Sequence, residues 1–424
     1  MSNAKSNHMT PLFIKNIKGL VGCHDRTTTK LKGKDMNVLP VIENAYLRVE
    51  NGKIASFGPM SEAPASTAAE DRVVDAAGRF VLPSWCDSHT HLVFAATREL
   101  EFEDRIKGLT YAEIAARGGG ILNSAARLKA MSEDELFESA LRRLEIAAKM
   151  GTGAMEIKSG YGLTLEAEMK MLRVVKRLKE HSDVAIRATL LGAHALPPEF
   201  KDNPQAYINI VLEEMIPAAA EEGLAEYVDV FCEKGYFDLE QTLAIVEKGA
   251  EYGLKAKVHV NQFNAMGAIP ELVAAGAVSV DHLEVLGEGD AEALGGSETI
   301  ATALPLCSMF LGLPYTPANQ LMQAGAAVAI ATDYNPGTAP SQNMNLAVSL
   351  ACIKMKMTPE AAINAATING AAAMDLADTH GSITVGKAAN LLISEPCEHL
   401  SHLPYSFGRP AIETVVLAGK VLQP

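Results

Sequence analysis

The run Asp87-Ser88-His89-Thr90-His91 sets two imidazoles one residue apart, just after an apolar stretch, Phe80-Val81-Leu82-Pro83. Side chains alternate along an extended strand, so His89 and His91 face the same way and can grip one divalent ion together. By itself a His-x-His pair is also a common solvated surface feature. Here, however, later apolar runs also end in residues that ligate metal or move protons. Lys158 follows Glu156-Ile157, His194 follows Leu190-Leu191-Gly192-Ala193, and Glu233 follows Phe231-Cys232; His259, His282 and Asp333 come after. A one-ion site made by His89, His91, His259 and Asp333 leaves positions open for water and for a carbonyl oxygen. Such an ion brings the pKa of its water toward ~7. Asp333 can then take the proton while His282 steadies the developing charge.

These residues must be brought together by their strands. Candidate strands are 153–157, 186–191, 227–231, 256–260, 278–282 and 327–333, with amphipathic helical segments between them. One such segment runs from Ser132 to Lys149, where Ser132 and Glu135 have the spacing of a capping box. Regular strand–helix alternation over residues 79–385 predicts a (β/α)8 TIM-like barrel, whose strand ends meet at one mouth. An open doubly wound sheet is the rival, but no GxGxxG or GxxxxGK[ST] follows any strand. Both chain ends read differently. Short apolar runs with turns fill 11–78, including Asn51-Gly52 between alternating segments, and the pattern returns over 386–424. The expected α/β fold is therefore a barrel inserted into a small β-sandwich formed by the N- and C-terminal segments. Residues 1–10 read as a disordered leader or tag.

A chain of 424 residues with 48% hydrophobic content supports a large core plus an accessory domain. Its formal net charge of −14 argues against nucleic acid or an anionic membrane as partner. No stretch has the length of a membrane span, and the N-terminus lacks a signal-peptide apolar core. Cys23, Cys86, Cys232, Cys307, Cys352 and Cys397 are scattered without a CxxC, which fits free thiols in a reducing cytoplasm. The stretch Ile353-Lys354-Met355-Lys356-Met357 reads either as a dimer contact or as surface helix filler.

Taken together, Asp87-Ser88-His89-Thr90-His91, His259, His282 and Asp333 resemble the amidohydrolase superfamily. Longer runs are similar to its imidazolonepropionase family: His89 to Phe94 with Arg98-Glu99, Gly108-Leu109-Thr110-Tyr111 with Gly118-Gly119-Gly120-Ile121, and Glu156 to Leu163. Leu191-Gly192-Ala193-His194-Ala195 and Ala331 to Thr338 complete the set, so the resemblance spans nearly the whole chain after the leader. It implies hydrolysis of 4-imidazolone-5-propanoate to N-formimidoyl-L-glutamate in histidine degradation. It implies one divalent ion, zinc or iron, on His89, His91, His259 and Asp333; a homodimer is the expected assembly. The resemblance also implies substrate contacts by Arg98, Tyr161, His194, Asn335, Gly337 and Thr338, to which Tyr111 can add a neutral donor and Gln262 an amide hydrogen bond to the ring. Those types suit the substrate: its propanoate calls for a fixed cation, and Arg98 offers a bidentate fork. Plainer readings stand beside these. Arg98 could pair with Glu99 or Glu101, Tyr111 could be core, and the glycines at 118–120 could serve only a tight turn.

Two positions depart from the family pattern. Gln262 stands three residues after His259, where a glutamate is usual, and an amide cannot act as a base. Asn390 follows Ala389 where aspartate is usual, which reads as structural. In two-metal relatives a carboxylated lysine bridges the ions, but no second ligand set accompanies Lys158, so one ion is expected. A heterocycle deaminase on the same barrel is the alternative enzyme, and a catalytically silent scaffold the alternative class. Gln262, in place of the HxxE helper of such deaminases, counts against the first, and the intact ligand set against the second.

Overall fold

The computed structural model describes residues 10–64, 71–109, 113 and 119–422. Tyr111, Gly118 and residues 1–9 of the expected leader lie outside the described residues. The chain ends meet in one mixed eight-stranded sheet. It comprises β1 (Leu12–Val21), β2 (Val41–Glu50), β3 (Lys53–Pro59), β4 (Arg72–Asp75) and β5 (Phe80–Pro83) from the N-terminal side. The barrel strands are β6 (Trp85–Asp87), β7 (Thr152–Lys158), β8 (Ala185–Ala193), β9 (Tyr227–Cys232), β10 (Lys255–Val260), β11 (Ser279–His282), β12 (Ile300–Ala303) and β13 (Ala327–Ile330). The C-terminal segment then adds β14 (Leu391–Ser394), β15 (Ile412–Leu417) and β16 (Lys420–Val421) to the first sheet, β14 pairing antiparallel with β5.

The terminal sheet has its own apolar core, in which Ile14, Leu47, Val81, Leu391 and Val416 are buried together. Asn51 and Gly52 turn β2 into β3 with φ of 51° and 74°, the left-handed pair that a two-residue hairpin with right-twisted strands needs. One correction concerns the run leading to the histidine pair. Phe80–Pro83 pairs with β1 and β14 in the terminal sheet, and the short β6 opens the barrel. Asn390 joins the two parts: its Nδ2 donates to Gly153 O at 3.0 Å and its Oδ1 accepts from Ala418 N at 2.7 Å. An aspartate could accept the second bond but, ionised, could not donate the first.

In the barrel β6 to β13 lie side by side in chain order, and all are parallel. The mouth closes where the first and last strands run out, with His91 N donating to Tyr334 O at 2.8 Å and Asp333 N to His89 O at 3.0 Å. Asp87 tightens the same seam by accepting from Thr332 N (2.9 Å) and Oγ1 (2.6 Å). This closure decides for the barrel over the open sheet. The strand β12 is absent from the sequence reading because Ile300-Ala301-Thr302-Ala303 is short and runs straight into Leu304-Pro305. The helix Glu133–Lys149 begins with the expected capping box: Ser132 Oγ accepts from Glu135 N, and Glu135 Oε2 from Ser132 N. Met355 and Met357 are 5% and 3% exposed, so they fill the core instead of forming a dimer contact or surface filler. The cysteines are free, with Cys86, Cys232 and Cys307 buried. Among the described residues no helix is long and apolar enough to cross a membrane.

Candidate active site and ion centre

His89 and His91 leave the end of β6, His259 lies on β10, His282 ends β11, and Asp333 follows β13. The barrel brings all five to one point. His259 Nε2 approaches His91 Nε2 to 3.3 Å, and Asp333 Oδ1 lies 3.6 Å from Nε2 of both His89 and His91. Ligand atoms of His89, His91 and Asp333 cluster within 4.8 Å, as do those of His89, His259 and His282. Bonds of ~2.0–2.1 Å in a tetrahedron put neighbouring ligand atoms about 3.4 Å apart, so the separations suit one small divalent ion.

The outer partners fix the tautomers. His89 Nδ1 meets Asp281 Oδ2 at 2.7 Å, and His259 Nδ1 meets Asp229 Oδ2 at 2.8 Å. A carboxylate only accepts, so each Nδ1 carries the proton and each Nε2 turns a lone pair inward. His89 Nε2 is buried yet has no hydrogen-bond partner among the described residues, a costly arrangement that a bound cation would relieve. Burial, then the nearby Lys158 ammonium, holds His89 and His259 well below the usual histidine pKa, so both stay neutral. His282 differs. Burial opposes its charge, but Glu284, 3.4 Å from its Nδ1, and then Asp333 raise its pKa overall. Burial pushes Asp333 up to about 6, with His282 pulling the other way. Both residues also hold left-handed backbone, with φ of 91° at His282 and 53° at Asp333. Such strain in residues other than glycine concentrates at functional sites.

Beneath this cluster the barrel interior is charged. Lys158 is fully buried, 2.6 Å from Glu156 Oε1 and 2.8 Å from Asp229 Oδ2. An ammonium so enclosed cannot bridge two ions, in keeping with a one-ion site. Glu233 braces a loop instead: it accepts from Phe263 N at 2.9 Å and Asn264 Nδ2 at 2.8 Å.

A cavity of about 450 Å³ opens over the cluster. Of the residues expected to contact substrate, Arg98, Tyr161, His194, Gln262, Asn335 and Thr338 line it, together with His91, His259, His282 and Asp333. Arg98 does pair with Glu101, through Nε at 2.8 Å, but both are buried instead of lying on the surface, and Arg98 lines the cavity. His194 Nδ1 donates to Gly160 O at 2.9 Å, and burial lowers its pKa to about 4, so a neutral ring faces the cavity. Gly160 has φ of 109°, and a Cβ there would lie 2.8 Å from His194 Nδ1, so both backbone and space require glycine. Asn335 spends its amide on its own loop, accepting from Gly337 N at 2.8 Å and Thr338 N at 2.7 Å. Gly337 stands behind the wall, where it makes room for Arg98.

Several site residues escape the sequence reading. Arg105 is a second cation in the wall, its Nη2 donating to Gly337 O at 3.0 Å. Its signal, a second arginine about two helical turns beyond Arg98, is too common to single out. Phe231, Tyr236, Phe263 and Leu313 give the wall an apolar side. Glu168 reaches back from the helix Leu165–His181 to accept from Gly160, Gly162 and Leu163 N at 2.7–2.8 Å, which shapes the loop carrying Tyr161.

A closed parallel barrel with imidazoles and a carboxylate converging at the carboxyl ends of its strands defines a barrel hydrolase of the metal-dependent kind. Residues 80–422 match the model of the Amidohydrolase family. An imidazolonepropionase of Christiangramia forsetii is 54% identical over 411 residues, covering 97% of this chain and 100% of that one. An imidazolonepropionase of Geobacillus sp. is 41% identical, covering 98% of each. The chain therefore belongs to the amidohydrolase family and, within it, to the imidazolonepropionases. Among solved structures, the fold is shared with guanine deaminase of E. coli, at a TM-score of 0.73 and 14% identity, covering 98% of this chain and 99% of that one. A 5-methylcytosine deaminase of Klebsiella pneumoniae gives a TM-score of 0.71 at 17% identity, covering 96% and 98%.

Proposed function

We propose that the protein hydrolyses the ring amide of 4-imidazolone-5-propanoate, giving N-formimidoyl-L-glutamate in histidine breakdown. The observation that carries this reading is one cavity in which Arg98 shares the wall with His91, His259, His282 and Asp333. A carboxylate anchor and a candidate hydrolytic centre thus face the same small molecule. His89, His91, His259 and Asp333 would hold one divalent ion, zinc or iron, since imidazole and carboxylate suit both. When bound, the ion makes its water acidic and polarises the substrate carbonyl.

The chain's own groups do the rest. Arg98 binds the propanoate with its guanidinium, fixed from behind by Glu101. Tyr161 and the neutral His194 contact the ring, and Gln262 orients it through its amide. Asp333 accepts the proton lost by the attacking water. His282, held toward its charged form by Glu284, steadies the charge that builds on the carbonyl oxygen. As the ring C–N bond breaks, the proton held at Asp333 passes to the departing nitrogen. Tyr111 adds a further neutral donor to the ring in this reading. The scattered free thiols support a cytoplasmic location, the net charge of −14 weighs against nucleic acid or an anionic membrane as partner, and a homodimer is the assembly to be tested.

The test is to incubate pure, metal-loaded protein with 4-imidazolone-5-propanoate and follow the loss of its ultraviolet absorbance. Steady turnover to formimidoyl-glutamate is expected, and absence of turnover with metal present would overturn the reading. Metal analysis of protein purified without added ion should give about one zinc or iron per chain, and sedimentation should give the mass of two chains.

A further inference from the structure

We infer that Lys158 is a positioning residue for the ion site, its one ammonium coupling the two aspartates that orient His259 and His89. Lys158 Nζ lies 2.8 Å from Asp229 Oδ2, and that same oxygen meets His259 Nδ1 at 2.8 Å. It lies 3.7 Å from Asp281 Oδ2, the oxygen that meets His89 Nδ1 at 2.7 Å. Two Asp–His pairs of the cluster thus start from a single cation.

The physical need for it is local. Glu156, Asp229 and Asp281 are all fully buried, so their mutual repulsion is poorly screened. Without a cation between them, Asp229 and Asp281 turn apart, and the imidazoles they hold lose their fixed orientation. With Lys158 in place, Asp229 is held at hydrogen-bond distance and Asp281 by the longer ion pair, and each aspartate anchors an Nδ1 on its other side. The second buried lysine serves as a contrast. Lys257 Nζ reaches Glu156 Oε2 at 3.0 Å and the carbonyls of Ser88 and Ala373 at 3.2 and 2.8 Å. It neutralises charge and braces the barrel floor, with neither His-paired aspartate among its ion pairs.

This inference rests on the ion site proposed above and is independent of the substrate. The test compares Lys158→Met with Lys257→Met, each purified metal-free and titrated with Zn2+ against a chromophoric chelator. Lys158→Met should bind zinc ~10–100-fold more weakly than the parent, the range for lost outer partners of metal ligands. Lys257→Met should melt at lower temperature yet keep zinc affinity within about threefold, the margin of independent sites. Affinity within about threefold of the parent in Lys158→Met, or equal weakening in both variants, would overturn the assignment. A parent chain that binds no zinc would instead indict the ion site itself. Should Lys158→Met fail to fold, Asp229→Asn, Asp281→Asn and their double variant carry the test. A shared ammonium makes their effects on zinc affinity depart from the simple product by more than about threefold, and a simple product would mean two independent pairs.

Discussion

The Arg98 guanidinium occupies the space that any side chain at Gly337 would need. A Cβ at position 337 would overlap Nη1 and stand 2.8 Å from Cζ. The last barrel loop and the loop after the first strand therefore fit together only because one of them carries a bare backbone.

Gly337→Ala should accordingly push Arg98 out of place while leaving the ion cluster intact. Charge-assisted hydrogen bonds contribute about 1.5–3 kcal/mol, so kcat/KM for the propanoate substrate should fall ~10–100-fold, mostly through KM. Steady-state kinetics with metal analysis checks this. A normal KM would mean that Arg98 is not the carboxylate anchor.

Gln262 lines the cavity with its Nε2 3.4 Å from Cys307 Sγ. Gln262→Glu adds a group that can exchange protons beside His282 and Asp333. It should change kcat by about tenfold or more and reshape the pH–rate profile, with bound metal unchanged. An unaltered profile would show that position 262 takes no part in proton transfer.

Acid should destabilise the ion-free protein. His194 is buried with its pKa lowered to about 4 from 6.5, and burial lowers His89, His91 and His259 as well. Between these values the four rings bind more protons in the unfolded chain, so their contribution is full above about pH 6.5 and falls as pH drops toward 4. It outweighs Asp333 and Asp87, whose pKa values, raised to about 6 and about 7 by burial, act in the opposite sense. His194 alone accounts for about 3 kcal/mol over that window. Urea unfolding of chelator-treated protein from pH 7.5 to 4.5 measures it, and a flat profile would contradict the neutral, buried state of these rings.

Much of this was legible from residue order because barrel strand ends carry chemistry at fixed places. His89, His91, His259, His282 and Asp333 each follow an apolar run, and the closed topology makes their convergence unavoidable. Side-chain direction was less legible. Lys158 and Glu233 sit at strand ends like the ligands, yet one points beneath the cluster and the other braces a loop. The division at Ser84 was hidden as well, since Phe80–Pro83 and Trp85–Asp87 form one apolar stretch in sequence but pair in different sheets. The left-handed φ at His282 and Asp333 leaves no mark in composition, because tertiary packing imposes it against local preference. Arg105 and Glu168 act across loops, so spacing alone could not assign them.

Glu168 offers the last test. Its carboxylate is the common acceptor for the backbone of Gly160, Gly162 and Leu163, on either side of Tyr161. Glu168→Ala strands these buried donors, each worth about 1–3 kcal/mol when unsatisfied, so the melting temperature should drop by several degrees. Because Gly160 O also anchors His194, the loop's loosening should reach both substrate-facing rings and lower kcat/KM. Tyr161→Phe removes only a hydroxyl and should leave the melting temperature within a degree or two. Thermal melts and kinetics on both variants separate the two effects. If Glu168→Ala melts like the parent, the loop is held by something other than this carboxylate.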